Sequence, residues 1–347
     1  MLNIQKARHH TVKVDGVDLF YREAGRRSAP GLLLLHGQPC SSYGFRHVIG
    51  PLAEVARVVA PDLPGFGFTE APDDYEYTFD AMARTIDVLT RKIGMEWFFL
   101  YVHDFGAPVA YYLAMARPQR VLGLIIQNGN AHQEGLGPDW DANKAYWADP
   151  TPENRKKLPE WLNFEGVRHT YVGAIPERLK PLFAPEGWHL DWERMSRPGL
   201  VDIQFRIFED YARYVARFPD ISAYHRKHQP RALLLWAGTT PISRSRRCLP
   251  MPASSSRSRC ISTTRRICFW RRIIRNARRS CASSFWMYNR VRKRWLPHRN
   301  SPELFWRSSL SALLSCAPNR LRNKSSRFNL RPIAWRNRTL TRPGRKM

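Results

Sequence analysis

The stretch Phe98-Phe99-Leu100-Tyr101-Val102-His103-Asp104-Phe105-Gly106 sets an apolar run directly against His-Asp-Phe-Gly. Such a run reads as a short strand buried on both faces. Beyond Gly106, Val109, Tyr112, Leu113 and Ala116 recur at helical spacing. The chain must therefore turn sharply between the two. A strand-to-helix turn of this kind lifts one side chain above the sheet, and a glycine two residues later lets the helix pack closely. The lifted side chain is a carboxylate, Asp104. A lone Asp in this context is more often a helix cap, so its surroundings decide its role.

The same alternation extends outward. Residues 11–24 read as a hairpin turning at Asp15-Gly16, and further apolar runs at 32–36, 56–62, 122–128 and 232–237 read as parallel strands. Between them Phe79, Met82, Ala83, Ile86, Leu89 and Ile93 lie at helical spacing. The pattern specifies an α/β fold, a mostly parallel sheet with helices on both faces. Residues 129–230 interrupt it with Trp, Tyr and charged residues, and helices are expected in 152–164 and 203–218. An insertion there is expected to be a helical cap over the C-terminal edge of the sheet, where open α/β sheets bind ligands. The expected organisation is a first core segment at 1–128, the cap at 129–230, a core strand at 231–237 and an irregular tail at 238–347.

Two loops accompany the Asp104 turn. His36-Gly37-Gln38-Pro39 follows the first central strand, where the backbone N–H of Gln38 can join that of Phe105 as an oxyanion hole. Asp62-Leu63-Pro64-Gly65-Phe66-Gly67 opens a Gly/Pro-rich loop after the next strand. In order and spacing these elements resemble the α/β-hydrolase family, in particular its epoxide-hydrolase and haloalkane-dehalogenase-like members, over residues 10–237. The resemblance implies a small-molecule substrate, no cofactor and no metal. It also implies an Asp nucleophile, Asp104, that forms an alkyl ester, and a His held by a second carboxylate that activates water to hydrolyse it. His36, Gly37, His103 and Gly106 are then supports of the turn, and Tyr171, Tyr211, Tyr214 and Tyr224 are candidate substrate-binding hydroxyls of the cap. Dehalogenases of this group usually carry Trp after the nucleophile and Asn after His-Gly. Phe105 and Gln38 stand there instead, which favours epoxide opening over halide release, because a phenyl ring has no N–H to donate.

The expected acid and histidine are missing, and the composition changes where they should begin. Up to Ala237 the chain has 28 Lys and Arg against 28 Asp and Glu; from Gly238 onward it has 28 against 1, the acid being Glu303, so the net charge of +27 lies in the tail. Five of the six cysteines lie there too, with no spacing that would make a zinc site. Taking the last base of each codon with the first two of the next restores the family's motifs. Ala237–Ile242 then permits Trp-Gly-Arg-Asn-Asp-Pro after the strand. Thr263–Arg271 permits Asp-Thr-Ala-His, with the His spanning Arg266 and Ile267, and Phe285–Met287 forces Leu-Asp. The residues after about Ala237 are therefore read as a frameshifted translation of a hydrolase C-terminus, with read-through beyond about Tyr288, and the chain as written is expected to lack turnover. The competing reading is a non-catalytic protein whose Arg and Trp tail binds nucleic acid. No module organises that tail, so any such affinity is expected to be sequence-independent and to fall with salt. The N-terminus lacks an apolar signal core and no run approaches a membrane span, so a cytoplasmic location is expected.

Overall fold

The structure is a computed structural model. It describes residues 6–237 except 159 and 174, together with the backbone strand at 258–263. The remainder of the tail expected at 238–347, with its cysteines, basic residues and shifted motifs, lies outside the described residues.

The sheet begins with β1 (Arg8–Val14) and β2 (Val17–Ala24), an antiparallel hairpin in which Val14 pairs with Val17. Its two turn residues have positive φ, Asp15 at 48° and Gly16 at 86°, as a two-residue turn matched to strand twist requires. The parallel strands follow: β3 (Gly31–Leu34), β4 (Arg57–Pro61), β5 (Phe98–Val102), β6 (Val121–Gln127) and β7 (Ala232–Ala237). An eighth strand, β8 (Ser258–Thr263), pairs with β7 in parallel over six residues. The strand order is β1-β2-β4-β3-β5-β6-β7-β8, with only the β1–β2 and β2–β4 pairings antiparallel. Within the tail, six residues form β8 and extend the ladder of β7, whose open edge would otherwise present unpaired backbone groups.

Both sheet faces are buried. Leu33, Leu35, Leu100 and Val102 point into one core, and Leu32, Leu34, Phe99 and Tyr101 into a second on the opposite face. The short α1 (Ile49–Leu52) contributes Ile49 to the second core. The larger core takes α2 (Phe79–Lys92) and α3 (Gly106–Ala116). α2 starts at Thr78, whose hydroxyl accepts the Ala81 N–H. Its inward Phe79, Met82, Ile86 and Leu89 are fully buried. α3 is apolar throughout because it lies under further helices as well as on the sheet. Pro108 is tolerated there because N–H groups of a first turn have no partner within the helix.

Between β6 and β7 run α4 (Asp141–Ala148), α5 (Pro152–Arg155), α6 (Phe164–Val172), α7 (Glu186–Met195), α8 (Leu200–Ala216) and α9 (Phe218–His228). α8 matches the helix expected in 203–218. The helix expected over 152–164 is reduced to the single turn of α5. The sequence there carries a proline at 159, which has no N–H to give, and Asn163 starts α6 by accepting the Gly166 N–H at 2.8 Å. α9 returns the chain to the sheet against α3, with the Tyr111 and His225 rings 5.5 Å apart. Asp210 of α8 accepts the Phe79 N–H at 2.8 Å, binding this layer to the start of α2.

Phe79 sits where core, cap helix and Asp104 turn meet, edge-on to Phe105 at 5.3 Å and to Tyr211 at 6.1 Å. Phe79→Ala should cost about 3–5 kcal/mol, read as a lowered urea midpoint at unchanged slope. A loss well under 1 kcal/mol would mean that this junction is loosely packed.

Candidate active site

β3 and β5 are neighbours in the sheet, with Leu34 paired to Tyr101. The loops leaving their C-terminal ends therefore emerge side by side. Asp104 sits at the turn with φ 47°, a left-handed conformation unusual for a residue with a side chain. Its carbonyl accepts the Ala107 N–H at 2.9 Å and so opens α3. A Cβ on Gly106 would stand 2.5 Å from the Leu35 carbonyl oxygen, and one on Gly37 2.3 Å from the Asp104 Cβ, so both close approaches require glycine.

The carboxylate is held in one orientation. Oδ1 accepts the Gln38 N–H at 2.9 Å and the Phe105 N–H at 2.8 Å. These are the two donors expected to form the oxyanion hole, and both converge on one oxygen. No hydrogen bond holds Oδ2 among the described residues, and Asp104 is exposed at the top of the sheet.

The two histidines act as braces. His36 is buried; its Nδ1–H donates to the Gly37 carbonyl at 3.0 Å, and its Nε2 accepts the Leu63 N–H at 2.9 Å. With both ring nitrogens occupied, it ties the Gln38 loop to the loop after β4. Burial pushes its pKa below the ordinary value, with the charge of Asp62 opposing. His103 donates from Nδ1 to the Gln127 carbonyl at 2.8 Å, joining the ends of β5 and β6. In the loop after β4, the buried Asp62 accepts the Ser42 N–H at 2.7 Å and the Phe68 N–H at 2.9 Å.

The four tyrosines separate. Tyr211 is 4% exposed and lies over the elbow, 5.8 Å from the Phe105 ring. It stacks on Trp147 at 5.5 Å and Trp140 at 5.7 Å. Burial and then the charge of Asp104 raise its phenol pKa, so its proton is retained. Tyr214 donates instead to the Asn130 carbonyl, and Tyr171 to Asp191. Tyr224 packs on α9 against His225 and His228. Trp140 and Asp191 escaped the sequence reading, as did the side-chain amide of Gln38. Trp140 Nε1 and Gln38 Nε2 are buried N–H groups without a hydrogen-bond partner among the described residues. Asp191 of α7 is a buried carboxyl. In sequence each looks like an ordinary aromatic, amide or helix acid, and no local pattern marks it.

Among the described residues no group of three or more His, Cys, Asp or Glu could hold a metal ion, and no helix is long and apolar enough to cross a membrane. The positions at which the resemblance expects the second carboxylate and the catalytic histidine fall after Ala237, outside the described residues.

An Asp at a strained strand-to-helix turn, with two backbone donors beside it and helices above, thus stands at the C-terminal edge of a mostly parallel sheet. The family model of the alpha/beta hydrolase fold matches residues 30–260, and the chain belongs to that family. It is 38% identical over 244 residues to an uncharacterized hydrolase of Saccharomyces cerevisiae, covering 68% of this chain and 82% of that protein. Shorter matches reach a haloalkane dehalogenase of Bradyrhizobium diazoefficiens, 38% identical over 32% of this chain and 36% of that protein. An epoxide hydrolase 2 of Siraitia grosvenorii is 36% identical over 35% of this chain and 39% of that protein. The chain thus spans well under half of those two enzymes. The crystal structure of a haloalkane dehalogenase loop variant from Bradyrhizobium elkanii shares the fold, with a TM-score of 0.59 at 22% identity over 74% of this chain and 89% of that one.

Because the folded chain keeps His36 neutral at a pH where the unfolded chain protonates it, unfolding takes up a proton as the pH falls below about 6.5. The associated stability is present above that pH and lost below it. His225, pushed down to about 4 by burial, contributes in the same direction. Urea unfolding at successive pH values between about 6.5 and 5 should show this loss, and His36→Gln should flatten the slope by up to about 1.4 kcal/mol per pH unit. An unchanged slope would show that His36 is not held neutral.

Proposed function

We propose that the hydrolase part of this chain, up to Ala237, attacks small organic substrates through Asp104 in the manner of an epoxide hydrolase. The observation that carries this reading is the geometry of the carboxylate: Oδ1 is fixed by the Gln38 and Phe105 N–H groups, while Oδ2 is left for attack. In the proposed step Oδ2 forms a bond to an epoxide carbon and the carbon–oxygen bond of the ring breaks. The released alkoxide takes the Tyr211 proton; an alkoxide is a stronger base than a phenolate, so a raised phenol pKa still permits the transfer. The product is an alkyl ester of Asp104 whose carbonyl oxygen, Oδ1, already lies between the two N–H donors that would stabilise a tetrahedral intermediate.

Hydrolysis of that ester needs a base for the attacking water. His36 is unsuited to this because both of its nitrogens are engaged. We attribute the missing base to the change of frame after Ala237, so that the chain as written stops at the ester. The position of β8 supports this reading. It runs parallel to β7 and ends at Thr263 on the same edge of the sheet as Asp104, and the shifted codons permit Asp-Thr-Ala-His from Thr263 onward. A haloalkane is the second reading, favoured by the unpartnered N–H groups of Gln38 and Trp140, which a departing halide could accept.

Incubation with terminal epoxides and primary haloalkanes, followed by intact-mass and peptide mass spectrometry, should reveal one covalent adduct per chain on the Asp104 peptide and no multiple turnover. Asp104→Asn should remain folded and unlabelled. Labelling of Asp104→Asn at the wild-type rate would remove the nucleophile assignment. Restoring one G near codon 237 should give a nearly neutral protein ending near residue 288 that turns over the substrate class labelling the original chain. A nucleotide sequence incompatible with Asp, His and Leu-Asp at the shifted codons would refute the frameshift.

A further inference from the structure

The cap meets the Gln38 loop at a buried polar seam that the reaction above does not use. Tyr171 of α6 donates its hydroxyl proton to Oδ2 of Asp191 on α7. Ser41 Oγ donates to Asp191 Oδ1 at 3.4 Å, and the Cys40 thiol donates to the Tyr171 hydroxyl oxygen at 3.6 Å. Cys40 and Ser41 lie two and three residues beyond Gln38, whose N–H holds Asp104. Little slack exists around the seam. A Cβ on Gly187 of α7 would stand 2.8 Å from the Tyr171 ring, and one on Gly67 2.9 Å from the Ser41 Cβ. Asp191 itself is 4% exposed and forms no ion pair among the described residues.

We propose that Tyr171 and Asp191 are a positioning pair through which the cap clamps the Cys40–Ser41 corner and thereby fixes the Gln38 N–H on the Asp104 carboxylate. Two neutral groups would tie α6, α7 and the loop together as firmly as a carboxyl does, so the acid gives the seam a property that a plain tie lacks. Burial raises Asp191 to about 7, opposed by its bonds to Tyr171 and Ser41. The groups facing it are Tyr171 from α6, Cys40 and Ser41 from the loop after β3, Asp62 from the loop after β4, and Arg46. Asp62 favours the protonated form, and Arg46 favours the ionised one.

The sign of the dependence follows from linkage. A closed seam holds Asp191 with a pKa near 7, whereas an opened seam exposes it to water at an ordinary carboxylate pKa. Protonation therefore favours the closed state. The seam is tightest near the ordinary carboxylate pKa of about 4; its opening constant rises by up to tenfold per pH unit from there to about pH 7 and levels off above that, where both states are ionised. Tyr171, whose phenol burial raises far beyond this range, keeps its proton throughout.

Hydrogen exchange of the full chain between about pH 4.5 and 8, expressed as protection relative to intrinsic exchange, tests this without any reaction. The ratio of wild-type to Asp191→Asn protection at Gln38 and through Phe45 should fall as the pH rises to about 7 and level off above it, because Asp191→Asn mimics the neutral acid and keeps the His36 contribution common to both proteins. Tyr171→Phe should lower that protection about tenfold at every pH while leaving β5 unchanged. A ratio of wild-type to Asp191→Asn protection that stays flat with pH would overturn the proposal, even if Tyr171→Phe failed to fold. A second arm rests on the nucleophile reading above: the rate of Asp104 adduct formation in the wild type, relative to that in Asp191→Asn, should decline as the pH rises to about 7 and then hold level. Exchange behaving as stated with no adduct in any variant would uphold the clamp and refute the nucleophile. Adduct forming with one pH profile in all three proteins would uphold the nucleophile and refute the clamp.

Discussion

One carboxylate oxygen accepting two backbone N–H groups is the constraint around which the rest of the molecule is arranged. It places Asp104 at φ 47°, a strain of about 1–3 kcal/mol that persists only where the surroundings over-determine it. Gly37 and Gly106 remove the side chains that would collide with the carboxylate and with the β3 carbonyls. The adjacency of β3 and β5 brings donor and acceptor loops together from 66 residues apart. His36 then fixes the donor loop by spending both ring nitrogens on backbone. Its neutrality is a condition of that bracing, since an imidazolium could not accept the Leu63 N–H.

A carboxylate aligned in this way faces a surface built almost entirely from aromatic rings. Phe105, Tyr211, Trp140 and Trp147 form a continuous series of ring contacts above the elbow. A surface of this kind offers few polar atoms. The polar atoms it does offer are a phenol and two N–H groups. All three are donors, suited to a leaving atom that gains negative charge.

How much of this could be read from residues alone follows from the range of the interactions. The hairpin, β3 to β7, α2, α3 and α8 were legible because apolar periodicity and turn chemistry are local, and the meeting of the Gln38 and Phe105 N–H groups at Asp104 was legible because the order of strands and turns along the chain carries it. The tyrosines were not separable, since a buried Tyr hydroxyl takes whichever acceptor the tertiary fold presents: Asn130 for Tyr214, Asp191 for Tyr171. Asp191 itself lies in Trp188-His189-Leu190-Asp191-Trp192, where nothing distinguishes it from a solvated helix acid. The single turn of α5 in place of a longer helix reflects a proline outweighing a favourable charge pattern. β8 was invisible because Ser258–Thr263 alternates no clear apolar face and gains its order from pairing with β7.

The eighth strand also separates two requirements that an Asp-nucleophile hydrolase normally meets together. In the proposed mechanism, forming the ester depends on Asp104, its two N–H donors and the surrounding aromatic rings, all of which precede Ala237. Hydrolysing it depends on a base that a parallel strand delivers to the same edge of the sheet, immediately past its C-terminal end. Here the strand is present, but the residues that follow it in sequence, Thr264-Arg265-Arg266-Ile267-Cys268, include no histidine. Guanidinium groups remain protonated in proteins and cannot take a proton from water. On the proposed frameshift reading, strand pairing survives the change of side chains because it uses main-chain groups common to every residue other than proline, whereas proton transfer needs one particular side chain.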